Sequence, residues 1–191
     1  LVDTTKTIKL IGDKSLSKRD FKRVAYPLSK FGAKFKLKNN SLPLRMLGSN
    51  NLKPIYYYEK KGSAQCKSAV IFAGMKTNGK TLIKAKKSRN HTEILCKYLK
   101  LPIKIKNKKN FDLIEVNKVN IIKPINYKIP SDISSSSFFI VLTALSKNSE
   151  LTIKEVNINP SRIGIITILK KMGVKISFKN KKIYKGEKIA D

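Results

Sequence analysis

Residues 6–11 alternate apolar and polar side chains, and a period of two predicts a strand. Over 20–31 the apolar positions fall at 21, 24, 25, 28 and 31, which is helical spacing, and Gly32 follows as a helix-ending residue. Two short strands, 34–37 and 42–47, are predicted on either side of an Asn39-Asn40 turn. The pattern continues with a strand over 54–59, a helix over 64–75 and a strand over 81–84. Asn90 with Glu93 at N3 predicts a capping box opening the next helix, and a hairpin over 103–105 and 111–116 follows. Further on, a strand is expected at 126–129 and a helix at 134–145, buried through 138–142. A strand is expected at 151–156, then a helix at 162–172 capped by Ser161 and closed by Gly173, and last a hairpin of 174–178 with 182–184.

This order repeats. Two units read strand, helix, strand, helix, strand, strand, at about 54–123 and 126–185, and the first 48 residues supply the last four elements of another. Arg19, Arg89 and Arg162 recur before the second helix of each unit, and Gly32, Leu101 and Gly173 after it. The period of about 70 residues exceeds that of common solenoids. It predicts an α/β fold of repeated βαβαββ modules packed around shared helices, with 64–75 and 134–145 apolar enough to be those helices.

Charge changes the picture less than its size suggests. The net charge is +30, from 42 basic and 12 acidic residues. Such a balance suits nucleic acid, an acidic membrane or small anions. The lysines, however, are spread through every predicted element alongside many Asn and Ile, which reads as a compositional bias rather than a footprint on one face. The five arginines, at 19, 23, 45, 89 and 162, are the more informative cations. Cys66 and Cys96 form no metal-ligand pattern with the single His and read as reduced core thiols. No apolar run reaches the roughly 18 residues of a membrane span, and no signal peptide is visible. A cytoplasmic location is the expectation.

The helix at 64–75 is the centre of the chain. Ser63 is placed to cap it, because its hydroxyl can accept from a free backbone N–H of the first turn. Positions 69–73 are apolar all round, which predicts burial, so Ser63 and Gln65 sit at the end able to meet a ligand. An ordinary capped core helix and an anion site at a helix N-terminus both fit this pattern.

Five motifs stand in register. They are Ser15-Leu16-Ser17-Lys18-Arg19 with Arg23-Val24; Ser63-Ala64-Gln65-x-Lys67-Ser68-Ala69; Ser88-Arg89-Asn90-His91-Thr92-Glu93; Asp132-Ile133-Ser134-Ser135; and Asn159-Pro160-Ser161-Arg162-x-Gly164. In order and spacing they resemble the 5-enolpyruvylshikimate-3-phosphate synthases (3-phosphoshikimate 1-carboxyvinyltransferases), and the likeness covers nearly the whole chain.

The resemblance implies the enolpyruvyl transferase fold, an inside-out α/β barrel of two domains with three βαβαββ units each and the site between them. It implies transfer of the enolpyruvyl group from phosphoenolpyruvate to the 5-hydroxyl of shikimate 3-phosphate, with release of phosphate and without metal or organic cofactor. By motif, Ser63, Gln65, Ser88 and Arg89 match positions that hold shikimate 3-phosphate, and Arg19 and Gln65 match positions at phosphoenolpyruvate. Lys67 is expected to be a structural partner, and Arg162 lies in a family motif. The family's catalytic acid and base motifs have no counterpart here, so the chain is expected to be an internal fragment, inactive alone. Residues 1–128 would come from one domain, and 129–191 would begin an incomplete second one. A full-length monomer binding neither nucleic acid nor membrane is the matching expectation.

The chain departs from the pattern at Asp20, Asn90, Ser131 and Leu101, and a carboxylate at Asp20 could compete with substrate for Arg19. Two other readings are a UDP-sugar enolpyruvyl transferase of the same fold and a non-enzymatic basic RNA-binding module.

Overall fold

A computed structural model describes residues 3–191. Their packing divides them into two units: the described residues up to Ser88 together with Lys100–Ile122, and Arg89–Leu99 together with Lys123–Asp191.

The first unit opens with β1 (Thr7–Leu10), a 3₁₀ turn at Leu16–Lys18, α1 (Lys22–Ser29), β2 (Lys34–Lys38) and β3 (Ser41–Leu47). The three strands form an antiparallel sheet ordered β1-β3-β2. Asn39 and Asn40 both have positive φ, the conformation that a tight two-residue hairpin requires. Leu42, Leu44 and Met46 alternate inward along β3.

Next come β4 (Tyr56–Glu59), α2 (Ala64–Gly74) and β5 (Thr81–Lys86), a parallel strand pair joined through a helix. The hairpin of β6 (Ile103–Asn107) and β7 (Phe111–Val116) completes a second sheet, ordered β4-β5-β7-β6. Val70, Ile71 and Ala73 of α2 are buried, as are Ile83, Ala85, Ile114 and Val116 of the sheet. Gly74 lets the helix approach closely: a Cβ there would lie 2.9 Å from Thr81 Cβ. The expectation that α2 is buried all round is corrected at Phe72, which is exposed.

The second unit contains α3 (His91–Tyr98), α4 (Ile133–Leu145), β8 (Val156–Asn157), α5 (Gly164–Lys171), β9 (Lys182–Tyr184) and β10 (Glu187–Ala190). Its sheet is ordered β8-β10-β9, and Ile133, Val156 and Ile166 form its buried core. α3 packs on β10, with Ile94 against the backbone of Gly186. Packing therefore groups α3 with the residues after 123, whereas the repeat places it before the boundary at 128.

Several expectations for this unit are corrected. No strand forms at 126–129; an isolated parallel bridge joins Ser131 to Val156 instead. The strand expected over 151–156 shrinks to β8, because Glu155 adopts a positive φ and its N–H turns to Asp191 Oδ1. Residues 182–184 pair with β10 rather than with 174–178, through a tight turn in which Lys185 and Gly186 both have positive φ. Ser161 does not cap α5, because the helix begins at Gly164 with Ile163 as its N-cap residue; the Ser161 N–H and hydroxyl both donate to Asn159 Oδ1. Asn90 makes no side-chain cap on α3: its Oδ1 accepts from Asn159 Nδ2 at 2.8 Å.

The largest correction concerns α4. Only Ile133 and Ser136 of this helix are buried, while Phe138, Phe139, Leu142 and Leu145 are 62–81% exposed. A helix that is apolar on every side needs neighbours on every side. Among the described residues α4 has them on one. Beside it a groove of about 900 Å³ runs between Ile140, Ala144, Met172, Val174 and Phe178, and it contains none of the site residues expected from the sequence.

Candidate functional site

The site is built where β4 and β5 end. These strands are parallel, so both carboxyl ends open on the same side of the sheet, where ligands commonly bind in α/β folds. The buried Glu59 carboxylate shapes the loop after β4, accepting from Lys61 N at 3.1 Å and from Gly62 N at 2.6 Å. Gly62 has a φ of +72°, and a Cβ on it would meet Lys87 O at 3.2 Å. This close approach sets the residue before Ser63 against the residue before Ser88, at the end of β5.

Ser63 caps α2 as expected, its Oγ accepting from Cys66 N at 3.2 Å. That bond uses an oxygen lone pair and leaves the hydroxyl hydrogen to donate to a ligand. Ser88 Oγ is buried without a hydrogen-bond partner, although a buried hydroxyl ordinarily has one. Gln65, exposed on the first turn of α2, accepts from Arg23 Nη2 at 2.9 Å. Arg23 comes from α1 and was not among the site residues expected from the sequence, though it stands in the first motif. Its proximity to Gln65, 42 positions away, is a product of helix packing that no local spacing reveals.

Arg19 follows the 3₁₀ turn in the same unit and is exposed. The neighbouring Asp20 carboxylate accepts from Lys22 N at 2.8 Å, forming a turn at the start of α1. Arg89 is exposed and is the first residue of the segment grouped with the second unit. Lys67 is completely buried, in keeping with a structural role. Arg162 bonds Asp132 Oδ1 at 2.5 Å and Ser134 Oγ at 2.6 Å, which ties it to the start of α4. Burial pushes the Asp132 carboxyl up, but the Ser134 backbone N–H, the Arg162 guanidinium and Ser135 outweigh it and hold it below its ordinary value.

The acidic side chains of the first unit are all engaged. Asp3, Asp112 and Glu115 pair with Lys76, Lys87 and Lys80; Asp13 and Asp20 accept backbone N–H groups in turns; Glu59 holds its loop. Cys66 and Cys96 are buried and free; burial, then the Glu93 charge, pushes the Cys96 thiol up to about 11. Among the described residues, no group of three His, Cys, Asp or Glu is placed to hold a metal. No helix among them is long and apolar enough to cross a membrane.

A sequence-family model for EPSP synthase (3-phosphoshikimate 1-carboxyvinyltransferase) matches residues 1–189. The chain belongs to the EPSP synthase family. The 3-phosphoshikimate 1-carboxyvinyltransferase of Caldicellulosiruptor saccharolyticus is 46% identical over 181 residues, which are 93% of this chain and 42% of that protein. The protein of the same name from Ruthia magnifica is 41% identical over 184 residues, covering 96% of this chain and 41% of its own length. Among solved structures, EPSP synthase from Acinetobacter baumannii superposes with a TM-score of 0.81 at 34% identity, over all of this chain and 43% of that one. The enolpyruvyl transferase NikO from Streptomyces tendae, at 14% identity and a TM-score of 0.61, shares the fold; it covers 96% of this chain and 43% of its own. The chain thus spans about 42% of the length of the EPSP synthases it matches.

Proposed function

We propose that this chain forms part of an enzyme that transfers the enolpyruvyl group of phosphoenolpyruvate to the 5-hydroxyl of shikimate 3-phosphate and releases phosphate. The observation that carries this is the arrangement of Ser63 and Gln65 at the start of α2, with Gly62 packed against Lys87 next to Ser88, in a chain of this family. The start of α2 offers a free hydroxyl hydrogen and the positive end of a helix of eleven residues, both suited to a phosphate. Ser88 Oγ lacks an acceptor for its hydrogen, which a phosphate oxygen would supply.

In this proposal Ser63, Ser88 and Arg89 hold the phosphate of shikimate 3-phosphate, Gln65 lies between the two substrates, and Arg19 binds phosphoenolpyruvate. A guanidinium suits both anions because it donates two parallel hydrogen bonds to carboxylate or phosphate. The family's two-domain division, 1–128 and 129–191, belongs to the same reading. So do a monomeric, cytoplasmic full-length enzyme and the absence of a cofactor, nucleic acid or membrane partner. The hydroxyl loses its proton as it adds to phosphoenolpyruvate and the methylene carbon gains one; the resulting methyl group then gives up a proton as phosphate leaves, which restores the double bond, so the reaction needs a positioned acid and base. None of the twelve carboxylates of the chain lies in a motif where the family keeps its acid or base, and we place those groups outside this chain.

Calorimetry on a full-length enzyme carrying this sequence tests the assignment. Arg89→Ala should weaken shikimate 3-phosphate by about 2–5 kcal/mol, the cost of removing one partner of a charge-assisted contact. Arg19→Ala should act chiefly on phosphoenolpyruvate. Unchanged affinities in both variants would refute it.

A further inference from the structure

A glutamine amide can turn either its oxygen or its NH₂ group towards a ligand, and a half-turn about its last bond exchanges the two. For Gln65 the choice matters, because an anion accepts hydrogen bonds from NH₂ and repels a carbonyl oxygen. Arg23 Nη2 lies 2.9 Å from Gln65 Oε1. A guanidinium has donors and no acceptor, so only one orientation satisfies this contact. Oε1 must face Arg23, and both hydrogens of Nε2 are left over.

Arg23 is held in place for this task. It stands in the first turn of α1, which packs on α2. Its backbone carbonyl accepts from Cys66 Sγ at 3.4 Å, so the residue touches two successive positions of α2, one through its main chain and one through its side chain.

We propose that Arg23 is a positioning residue that locks the Gln65 amide with its NH₂ group presented to the anionic substrates. The inference rests on the reading of Gln65 as a substrate contact. An amide set before the substrate arrives loses no rotational freedom on binding, and it never opposes an acceptor with an acceptor. Arg23 also carries a positive charge, so the test must separate orientation from attraction.

In a full-length enzyme carrying this sequence, shikimate 3-phosphate affinity is measured by calorimetry, and KM and kcat for both substrates by phosphate release. Arg23→Ala and Arg23→Met, the second keeping an apolar stem, should each weaken shikimate 3-phosphate roughly tenfold to a hundredfold, the range for a lost charge-assisted hydrogen bond. The change should appear mainly in KM. Arg23→Lys, still only a donor, should recover more affinity than Arg23→Gln, which can accept as well as donate. In a Gln65→Ala background, Arg23→Ala should add nothing, because no amide remains to orient. An Arg23→Ala loss equally large in that background would show a direct charge effect and overturn the proposal. So would wild-type affinity in Arg23→Met while Gln65→Ala is impaired. Wild-type affinity in Gln65→Ala itself would overturn the reading of Gln65 as a substrate contact, and the orienting role with it.

Discussion

Glu187 shows how one side chain joins three segments of the second unit. Its carboxylate is 7% exposed and accepts from His91 Nδ1 at 2.6 Å, from Asn157 Nδ2 at 3.0 Å and from Asn159 Nδ2 at 3.5 Å. Burial alone would push its acidity down, but these bonds outweigh burial and lower its pKa below the ordinary value. A carboxylate with a lowered folded pKa stabilises the fold above its unfolded pKa, about 4.3, and loses that contribution as pH falls through the folded value. The melting temperature should therefore drop as the pH falls below about 4.3, and Glu187→Gln should flatten that drop while lowering the melting temperature at pH 7. Melting curves of the two proteins between pH 3 and pH 7 check this; parallel curves would exclude the role. At this scale the sequence was legible where a side chain serves its own neighbours. Ser63 caps α2 three residues on, as its position foretold. The Asn90 side chain does not cap α3 but turns its oxygen to Asn159, 69 residues away.

Among elements, the helices follow the apolar spacing closely and the strands of the second unit do not. A helix satisfies its backbone internally, whereas a strand needs a partner that the local pattern cannot name. Residues 126–129, 151–155 and 174–178 have the side chains of strands, yet none belongs to a ladder. β10, which the apolar pattern does not announce, is the central strand of its sheet. α4 depends on its first turn, where Asp132 accepts from Ser135 N and also pairs with Arg162. Asp132→Ala should cost about 1 kcal/mol for the cap alone, and more because Arg162 loses its carboxylate. Asp132→Asn retains a cap-forming oxygen and should cost less. Thermal unfolding of both variants gives the ranking, and equal losses would mean that the ion pair rather than the cap holds the turn.

For the molecule as a whole, the uncovered side of α4 and the lack of the family's acid and base motifs lead to one expectation. These 191 residues alone should aggregate and should release no phosphate from phosphoenolpyruvate plus shikimate 3-phosphate. Large exposed apolar patches drive association, and repeat modules without their neighbours are poorly stable. Light scattering and a phosphate assay on the purified chain decide the matter, and turnover above blank would place an acid and a base within it. The sequence by itself determined the repeat, the central capped helix, the motif set and the demand of α4 for cover, since each is written in local spacing and chemistry. Tertiary structure alone decided that α3 packs on β10, that the loop at Gly62 lies against Lys87, and that Arg23 meets Gln65. These are contacts between residues far apart in the chain, and they depend on how helices and sheets pack, which spacing along one segment does not encode.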